Sequence, residues 1–348
     1  MSYELEEARA LVLKACKELV EHKLIVRTWG NISARISSSQ FVITPSGRDY
    51  DSLTPEDIVI VDVKGNYEGD IKPSSEMGVH AKCYKLRPDV DFVIHTHQPF
   101  ASALSVLGHD IKLGKRVSAE TKRLVGQRLV CAEYGRNATK KLANAVATAL
   151  DENPSSNHVL MRYHGALCLG KDYDEAFKIA YTLEALSKKV YEYYTGEAII
   201  KLPRELKIVQ AIPKAILDDA GKSTERVGEW ILHARTPYIC KMSEQGDTMK
   251  AYLDDLAQIA GTSIKCVSED ASPEKIIQAR GKGNAVLIEG DGAYCFGETK
   301  EEAEAVAIVL EKAALAAYIA DKRGAEPLKL IDAITDRVNY VKKYSKLK

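Results

Sequence analysis

The sequence predicts an α/β protein, or a closely related α+β one, built from two related units. Apolar residues recur at helical spacing near the start, as at Leu5, Ala8 and Leu11. Short apolar runs bounded by turn residues alternate with such segments and predict strands. An internal repeat relates part of the second half of the chain to the first half. The length of 348 residues is enough for about two domains.

Helices and strands alternate along the first half in a mixed α/β order. The segment 29–33 is read as a polar turn. Strands are predicted at 40–44, 57–61, 90–97 and 158–162. Helices are predicted at 3–22, from Pro73, from Pro99 to Leu107, at 136–150, at 172–194 and at 205–219.

The repeat consists of two matches in the same order. Residues 91–100 correspond to 229–238, with acid, aromatic, aliphatic, histidine and proline positions aligned. Residues 158–176 correspond to 285–303, each with a glycine-bounded apolar run before an acidic helix. No counterpart of the first ~90 residues is found in the second copy. We therefore expect a catalytic domain over 1–220 and a shortened, degenerate repeat over 221–348.

Composition and charge exclude several classes of protein. The formal net charge is zero, which argues against a nucleic-acid binder with a basic face. No apolar run approaches the ~20 residues of a membrane helix, and the acidic start is not a signal peptide. The seven cysteines are scattered without a CxxC pair, which favours reduced thiols and a cytoplasmic location.

Three histidines form a candidate metal site. His95 and His97 lie two residues apart on a predicted strand, so their side chains share a face. His164, at the end of another predicted strand, adds a third imidazole, and three histidines with an open position are typical of catalytic zinc. An isolated pair of this kind is more often a chance occurrence. Glu76, at a helix start, either stabilises the helix dipole or takes part in chemistry.

Small polar groups form a candidate phosphate cradle. Ser74 and Ser75 offer hydroxyl and N–H groups at the helix start that holds Glu76. Asn31 and Thr44 lie in predicted tight turns, where each is by itself most often only a turn residue.

The remaining histidines give weaker signals. His80 follows Glu76 by one helical turn and is expected to support the site rather than bind metal. His233 aligns with His95, but Arg235 and Asp291 stand where its partners would be. We therefore expect no tight zinc site in the second copy.

Taken together, these residues resemble the class II aldolase/adducin family. The matching motifs are Gly30-Asn31-Ile32-Ser33, Ile43-Thr44-Pro45-Ser46-Gly47, Pro73-Ser74-Ser75-Glu76, Arg87-Pro88-Asp89-Val90, His95-Thr96-His97 and Tyr163-His164-Gly165. Each motif alone is weak, and their shared order over residues 1–215 is specific. One departure is Tyr163, which stands where the family usually has asparagine.

The resemblance implies a three-layer αβα sandwich with a small sugar-phosphate substrate. It implies Zn2+, or another divalent metal, held by His95, His97 and His164, with Glu76 as the acid/base. The positions that would bind the substrate phosphate are Asn31, Thr44, Ser74, Ser75, Gly30 and Gly47. It also implies a homo-oligomer, a dimer or tetramer.

The reaction implied is a lyase reaction, in which a ketose 1-phosphate is cleaved through an enediolate to dihydroxyacetone phosphate and an aldehyde. A 4-epimerase or dehydratase using the same enediolate is an alternative, although the family's epimerases have Asp in place of Glu76. A non-catalytic, adducin-like scaffold is the third possibility, and it suits the second copy best.

Overall fold

The structure, a computed structural model, describes residues 2–26, 29–200, 208–209 and 230–344. These residues form two compact units, of which the first ends at Tyr191 and the second begins at Glu192. The boundary predicted near residue 220 lies outside the described residues, and so does most of the helix predicted at 205–219. The prediction of a helix is wrong at the two described residues of this segment, Ile208–Val209, which form a strand. The division into domains 1–220 and 221–348 therefore stays a prediction. No helix in the described part of the chain is long and apolar enough to cross a bilayer.

The first unit alternates strands and helices. Its elements are α1 (Leu5–Glu21), β1 (Asn31–Arg35), β2 (Gln40–Ile43), 3-10 turns at Tyr50–Ser52 and Pro55–Asp57, β3 (Val59–Asp62), α2 (Met77–Leu86), β4 (Phe92–Thr96), α3 (Pro99–Ser105), β5 (Ile111–Lys112), α4 (Ala119–Val125), β6 (Arg128–Leu129), β7 (Cys131–Ala132), α5 (Lys140–Glu152), β8 (His158–Met161), β9 (Gly165–Gly170) and α6 (Tyr173–Thr195).

Among the described residues, seven strands of this unit form one sheet in the order β3-β2-β1-β4-β9-β8-β7. Neighbours are antiparallel except for β7 and β8, which are parallel. Helices α2 and α5 cover one face, and their Val79 and Val146 pack with Val93 of β4. On the other face Phe92 contacts the ring of Tyr173 in α6. The predicted αβα arrangement is confirmed for this unit.

The prediction of a polar turn at 29–33 is wrong. The turn is confined to Gly30, whose φ is 139°, and Asn31 already begins strand β1. This strand pairs with both β2 and β4, and every residue in it is buried. Polar side chains alternate with apolar ones along it, because one face of the strand meets polar groups of α2 rather than a hydrophobic layer.

The second unit repeats most of this order. Its elements are β10 (Ile208–Val209), β11 (Trp230–Ala234), α7 (Pro237–Ser243), β12 (Met249–Lys250), α8 (Asp254–Ile259), β13 (Ser263–Ile264), β14 (Cys266–Val267), α9 (Pro273–Arg280), β15 (Ala285–Ile288), β16 (Gly292–Gly297), α10 (Lys300–Arg323), α11 (Leu330–Asn339) and a π-helical turn at Tyr340–Tyr344.

The two sheets share one topology. The order β10-β11-β16-β15-β14 matches β1-β4-β9-β8-β7, including the single parallel pair at the end. The short strand β10 lies antiparallel to β11, as β1 lies beside β4. The expectation that the second copy lacks any counterpart of the first ~90 residues is therefore wrong at this one strand. Counterparts of β2, β3 and α2 are absent from the described residues of the second unit.

In each unit a glutamate side chain binds the backbone amides at the start of a short helix. The carboxylate of Glu184 accepts hydrogen bonds from the amides of Phe100 and Ala101 at the start of α3. The carboxylate of Glu311 accepts from the amides of Tyr238 and Ile239 at the start of α7. Helix N-termini leave amides unpaired, and in both copies a carboxylate from a later long helix satisfies them, partly buried at Glu184 and buried at Glu311.

Candidate metal centre

The imidazoles of His95, His97 and His164 meet in the first unit. All three are buried, and one ligand nitrogen from each lies within 4.8 Å of the others. The Nε2 atoms of His95 and His97 are 3.0 Å apart. The rings of His95 and His164 stack with their centroids 4.8 Å apart. The structure thus brings together the three histidines that the sequence predicts as ligands.

Strand pairing explains why these side chains converge. His95 lies within β4, and His97 directly follows the end of that strand. Their shared face follows from the alternation of side chains along the chain there. His164 precedes β9, which pairs with β4 so that Thr96 lies opposite Ala166. A Cβ atom at Gly165 would clash with the carbonyl oxygen of Thr96, so glycine is required for this close approach.

The donor set fits a divalent cation. The Nδ1 atom of His95 lies 3.0 Å from the carbonyl oxygen of Ala166. A carbonyl only accepts hydrogen bonds, so Nδ1 carries the proton and the lone pair of Nε2 faces the other imidazoles. A tetrahedral zinc ion holds its nitrogens roughly 3.3 Å apart, close to the observed separation of His95 and His97. Neutral imidazoles so placed are the ligand set that zinc prefers.

Glu76 lies against the histidines. Its Oε1 atom is 3.1 Å from Nε2 of His164, and its Oε2 atom is 3.3 Å from Nε2 of His95. Although Glu76 is the N-cap residue of α2, its side chain makes no capping hydrogen bond. The carboxylate therefore does not cap the helix by a hydrogen bond, and its role in chemistry stays a prediction. Burial raises the pKa of Glu76, but the positive charge that His164 and His95 carry when protonated, together with hydrogen bonds from His164 and Asn31, outweighs burial and lowers the pKa well below its usual range.

His80 supports Glu76 through one intermediate residue. Its Nε2 atom is 2.5 Å from Oδ1 of Asn31, and Nδ2 of Asn31 donates to Oε2 of Glu76 over 3.0 Å. Burial, with a further contribution from His95, lowers the pKa of His80 to about 3, so its ring is neutral near pH 7. The expectation that His80 supports the site is in line with this geometry. Ser33 and Tyr84 extend the same network and were missed in the sequence.

The predicted phosphate-binding residues lie on three adjacent segments. The loop after β2 and the loop before α2 are joined by a bond from the amide of Ser74 to the carbonyl of Thr44. The hydroxyl of Thr44 accepts from the amide of Ile32 over 3.2 Å, which ties both loops to β1. Thr44, Ser74 and Asn31 are buried, whereas Ser75 and Gly47 are exposed.

Two of these residues have structural roles in addition. A Cβ atom at Gly30 would lie 2.8 Å from the carbonyl oxygen of His95, so the chain passes β4 at a distance that only glycine permits. The amide of Asn31 uses one of its two N–H groups on Glu76, which leaves the other for a ligand. Their assignment to a phosphate stays a prediction.

Tyr163 has a left-handed backbone conformation immediately before His164. Its φ is 63°, and the amide of His164 closes the turn onto the carbonyl of Met161. Asparagine tolerates this region better than most residues, which gives a physical reason for its usual presence here in the family. The hydroxyl of Tyr163 accepts from Arg162 over 3.0 Å, and its ring packs against Tyr134.

The corresponding place in the second unit holds an ion-paired cluster instead. Nε2 of His233 lies 2.6 Å from the carbonyl oxygen of Asp291 and 3.2 Å from its carboxylate. Arg235 contacts the same carboxylate at 3.0 Å. A guanidinium cation therefore stands at the position that corresponds to the second histidine. Among the described residues, the one group of three or more side chains that could hold a metal ion is His95, His97 and His164. The absence of a tight zinc site in the second copy stays a prediction.

The chain belongs to the class II aldolase and adducin family. The family described as Class II Aldolase and Adducin N-terminal domain matches residues 10–191 and again residues 228–318. The first match contains Glu76 and all three candidate ligands. The resemblance inferred from the motifs is thereby confirmed, and so is the tandem arrangement, because the second match covers the repeat.

Named relatives of this chain are sugar-phosphate aldolases. It is 33% identical over 176 residues to a 5-methylthioribulose-1-phosphate/5-deoxyribulose-1-phosphate aldolase of Escherichia coli O45:K1, covering 51% of this chain and 79% of that one. It is 31% identical over 179 residues to an L-fuculose phosphate aldolase of Methanococcus maripaludis, covering 51% and 93%. A solved L-fuculose 1-phosphate aldolase is similar with a TM-score of 0.50 and 32% identity, over 56% of this chain and 90% of that one.

Proposed function

We propose that the first unit is a metal-dependent aldolase. It would cleave a ketose 1-phosphate through an enediolate to dihydroxyacetone phosphate and a small aldehyde. The observation that carries this proposal is the convergence of three buried histidines and the carboxylate of Glu76. The relatives named as aldolases of fuculose and deoxyribulose phosphates support a deoxyketose 1-phosphate as the substrate class.

His95, His97 and His164 would hold the metal ion, with zinc as the proposed ion. When bound, a divalent cation supplies Lewis-acid stabilisation of the negative charge that develops on the ketose oxygens. The protein's own part is to fix the three imidazoles. The carbonyl of Ala166 holds the His95 ring in one tautomer, and the pairing of β4 with β9 sets its distance from His164.

Glu76 would move the proton. Its carboxylate is ionised near neutral pH and buried beside the histidines, so it can accept a proton from a substrate hydroxyl or carbon held there. The bond from Asn31 holds Oε2, which leaves Oε1 as the oxygen that takes and returns the proton. No lysine is needed to form a covalent adduct with the ketose.

Asn31, Thr44, Ser74, Ser75, Gly30 and Gly47 are proposed to bind the substrate phosphate. What supports this is their position on loops joined to each other and to the strand that carries Asn31. Ser75 is exposed, so its hydroxyl is accessible to a ligand. A phosphate held there would be bound by hydroxyl and amide N–H groups at the start of α2.

One experiment separates the candidate functions. The purified chain, with its metal content measured, is incubated in heavy water with dihydroxyacetone phosphate, with and without aldehydes. Bound metal, proton exchange and condensation are expected of an aldolase. Exchange without condensation would favour a 4-epimerase or dehydratase. Absence of both metal and exchange would favour an adducin-like scaffold.

Glu76→Gln tests the acid/base role. The amide keeps the size of the side chain but cannot accept the proton, so we expect metal content to stay unchanged and proton exchange to fall about 10²–10⁴-fold. Glu68→Gln is the matched control, because Glu68 is exposed and remote from the histidines in sequence. Wild-type exchange rates in Glu76→Gln would reject the role of Glu76 while leaving the metal site intact.

The second unit is proposed to be a non-catalytic copy retained for assembly. The pairing of Arg235 and His233 with Asp291 supports this, since it satisfies these groups without a metal ion. We also propose a cytoplasmic homo-oligomer, a dimer or tetramer. Light scattering of the purified chain tests the assembly, and a monomer at micromolar concentration would contradict it.

A further inference from the structure

Strand β1 presents a row of polar side chains toward helix α2. Asn31, Ser33 and Arg35 alternate along the strand, so they share one face. All three are buried. Burial of three successive polar side chains on one face of a strand is costly unless each finds partners. The row therefore predicts a matching polar surface on the element that covers it.

Helix α2 supplies that surface. Glu76, His80 and Tyr84 are spaced by four residues, so they lie on one side of the helix and its N-cap. All three are buried as well. We call the six residues of the strand row and the helix row the β1–α2 ladder. The second unit has no counterpart of α2 among its described residues, so the ladder belongs to the unit with the candidate metal centre.

The rungs of the ladder connect into a chain of short bonds. Oε2 of Glu76 is 3.0 Å from Nδ2 of Asn31, and Oδ1 of Asn31 is 2.5 Å from Nε2 of His80. Nδ1 of His80 is 2.6 Å from Oγ of Ser33, which is 2.8 Å from the hydroxyl of Tyr84. Four hydrogen bonds thus run from the carboxylate of Glu76 to the phenol of Tyr84.

The chemistry of the groups gives every bond in this chain a direction. Nδ2 of Asn31 faces Oε2 of Glu76 and its Oδ1 faces Nε2 of His80, so the amide donates to the carboxylate and accepts from the imidazole. His80 must then donate from Nε2. A neutral ring has only one N–H, so Nδ1 accepts from the hydroxyl of Ser33. That leaves the oxygen of Ser33 to accept from the phenol of Tyr84.

Arg35 anchors the far end of the ladder. Its guanidinium contacts the carboxylate of Asp91 at 3.0 Å and donates to the carbonyls of Tyr84 and Val90. It also lies over the ring of Tyr84, with 4.6 Å between the guanidinium carbon and the ring centre. The side chain of Tyr84 is therefore held by Ser33 at its hydroxyl and by Arg35 over its ring. These contacts fix the hydroxyl that donates the first hydrogen bond of the chain.

We infer that the β1–α2 ladder is a one-directional hydrogen-bond chain that positions Glu76 for proton transfer, with His80 and Ser33 as positioning residues. The chain holds Oε2 of Glu76 and keeps Oε1 toward the imidazole of His164. His80 acts through Asn31, which it can orient only while its proton is on Nε2. Ser33 sets that tautomer by donating to Nδ1. This role rests on the proposed function of Glu76 as the acid/base.

The first test reads the tautomer of His80 directly. Nitrogen NMR of the full chain with isotope-labelled histidine is expected to show His80 protonated at Nε2 and bare at Nδ1. In Ser33→Ala the donor to Nδ1 is lost, so the proton is expected to distribute over both nitrogens. A His80 protonated at Nδ1 alone in the wild type, or an unchanged tautomer in Ser33→Ala, would overturn the inference.

The second test separates positioning from binding. In Ser33→Ala we expect kcat for proton exchange from dihydroxyacetone phosphate to fall about 10–100-fold, as for other supporting contacts of a reactive site. KM and metal content are expected to stay within about threefold, because no ligand group has been removed. Ser105→Ala is the matched control, since it also deletes a buried serine hydroxyl but lies outside the ladder.

Tyr84→Phe provides a second variant if Ser33→Ala does not fold. It removes only the hydroxyl of Tyr84 at the end of the chain. We therefore expect a smaller decrease in kcat than in Ser33→Ala, with an unchanged KM. If every variant that folds, Ser33→Ala or Tyr84→Phe, had the wild-type kcat, the inferred positioning role would be overturned and the proposed function would stand. A wild-type protein that binds metal but exchanges no proton would instead refute the proposed function, and the positioning role with it.

Discussion

At the scale of single residues, Tyr163 is the clearest case of local strain beside the candidate metal centre. A non-glycine residue in the left-handed region costs roughly 1–2 kcal/mol. The corresponding turn of the second unit, closed by the amide of Asp291 on Ile288, holds Gly290 with φ 70° and avoids this cost. The unit with the three histidines thus tolerates strain next to His164 that the degenerate unit lacks. Such strain is typical of functional sites.

His158 gives a prediction about acid stability. Its side chain is fully buried, and burial lowers its pKa from 6.5 to about 4. Its Nε2 atom accepts a hydrogen bond from the amide of Val130, which the neutral ring can do. The unfolded chain binds this proton more readily than the folded chain does. Stability is therefore complete above about pH 6.5 and falls as the pH decreases toward 4, by about 3 kcal/mol in total.

Chemical unfolding at a series of pH values checks this. His158→Gln is expected to be less stable than wild type at neutral pH but to lose less stability between pH 6.5 and 4. His109→Gln replaces an exposed histidine and should leave the dependence of the free energy of unfolding on pH as in the wild type. If the free energy of unfolding fell equally with decreasing pH in wild type and His158→Gln, protonation of His158 would not contribute to the loss of stability in acid.

At the scale of elements, the pairing of β4 with β9 determines the geometry of the candidate metal centre. The two strands bring His95 and His164 together only because Gly165 lets the chain cross close to Thr96. The second unit has the same crossing at Gly292, beside the carbonyl of Ala234. Gly165 therefore permits both the strand pairing and the convergence of the histidines, whereas Gly292 permits the same strand pairing beside the His233 cluster.

This pair yields a matched prediction. In Gly165→Ala the new Cβ would force β4 and β9 apart, so we expect metal content to fall well below one ion per chain together with a loss of stability. In Gly292→Ala the same clash should lower stability with metal content unchanged. Elemental analysis and thermal unfolding of both variants measure this. Full metal content in Gly165→Ala would contradict the geometry.

The sequence allowed much of this element order and the histidine cluster to be predicted. Periodicity and the internal repeat indicated the class, and three histidines at strand ends indicated the site. Strand β1 was misread because Asn31 and Ser33 are polar yet buried, and their partners lie some fifty residues away in α2. Glu184 was missed for the same reason, since its amide partners lie on another helix. Such long-range polar contacts leave no local periodicity.

At the scale of the whole molecule, the chain combines two copies of one topology with different central clusters. Imidazoles meet in the first copy, whereas Arg235, His233 and Asp291 neutralise one another in the second. At the histidine positions the second copy therefore differs from the first in two of three residues, on a framework that keeps the pairing of the central strands. This difference is consistent with the role in assembly that is proposed for the second unit.

Restoring the two histidines tests this equivalence. The double variant Arg235→His, Asp291→His would place three imidazoles on β11 and before β16, as they stand on β4 and before β9. We expect a second, weaker metal ion per chain, because the described residues of the second unit contain no counterpart of α2 and of its Glu76. Arg235→Ala, Asp291→Ala is the control and should bind no additional metal. A double histidine variant without added metal would show that the frameworks differ in detail.

The most direct measurement of the central claim is the metal content of the purified chain and of two single variants. We predict one divalent ion per chain in the wild type, almost none in His95→Ala, and one in His233→Ala, because only the first of these residues lies in the histidine cluster. A wild type without metal, or equal metal content in His95→Ala and wild type, would contradict the assignment of His95, His97 and His164 as the ligands.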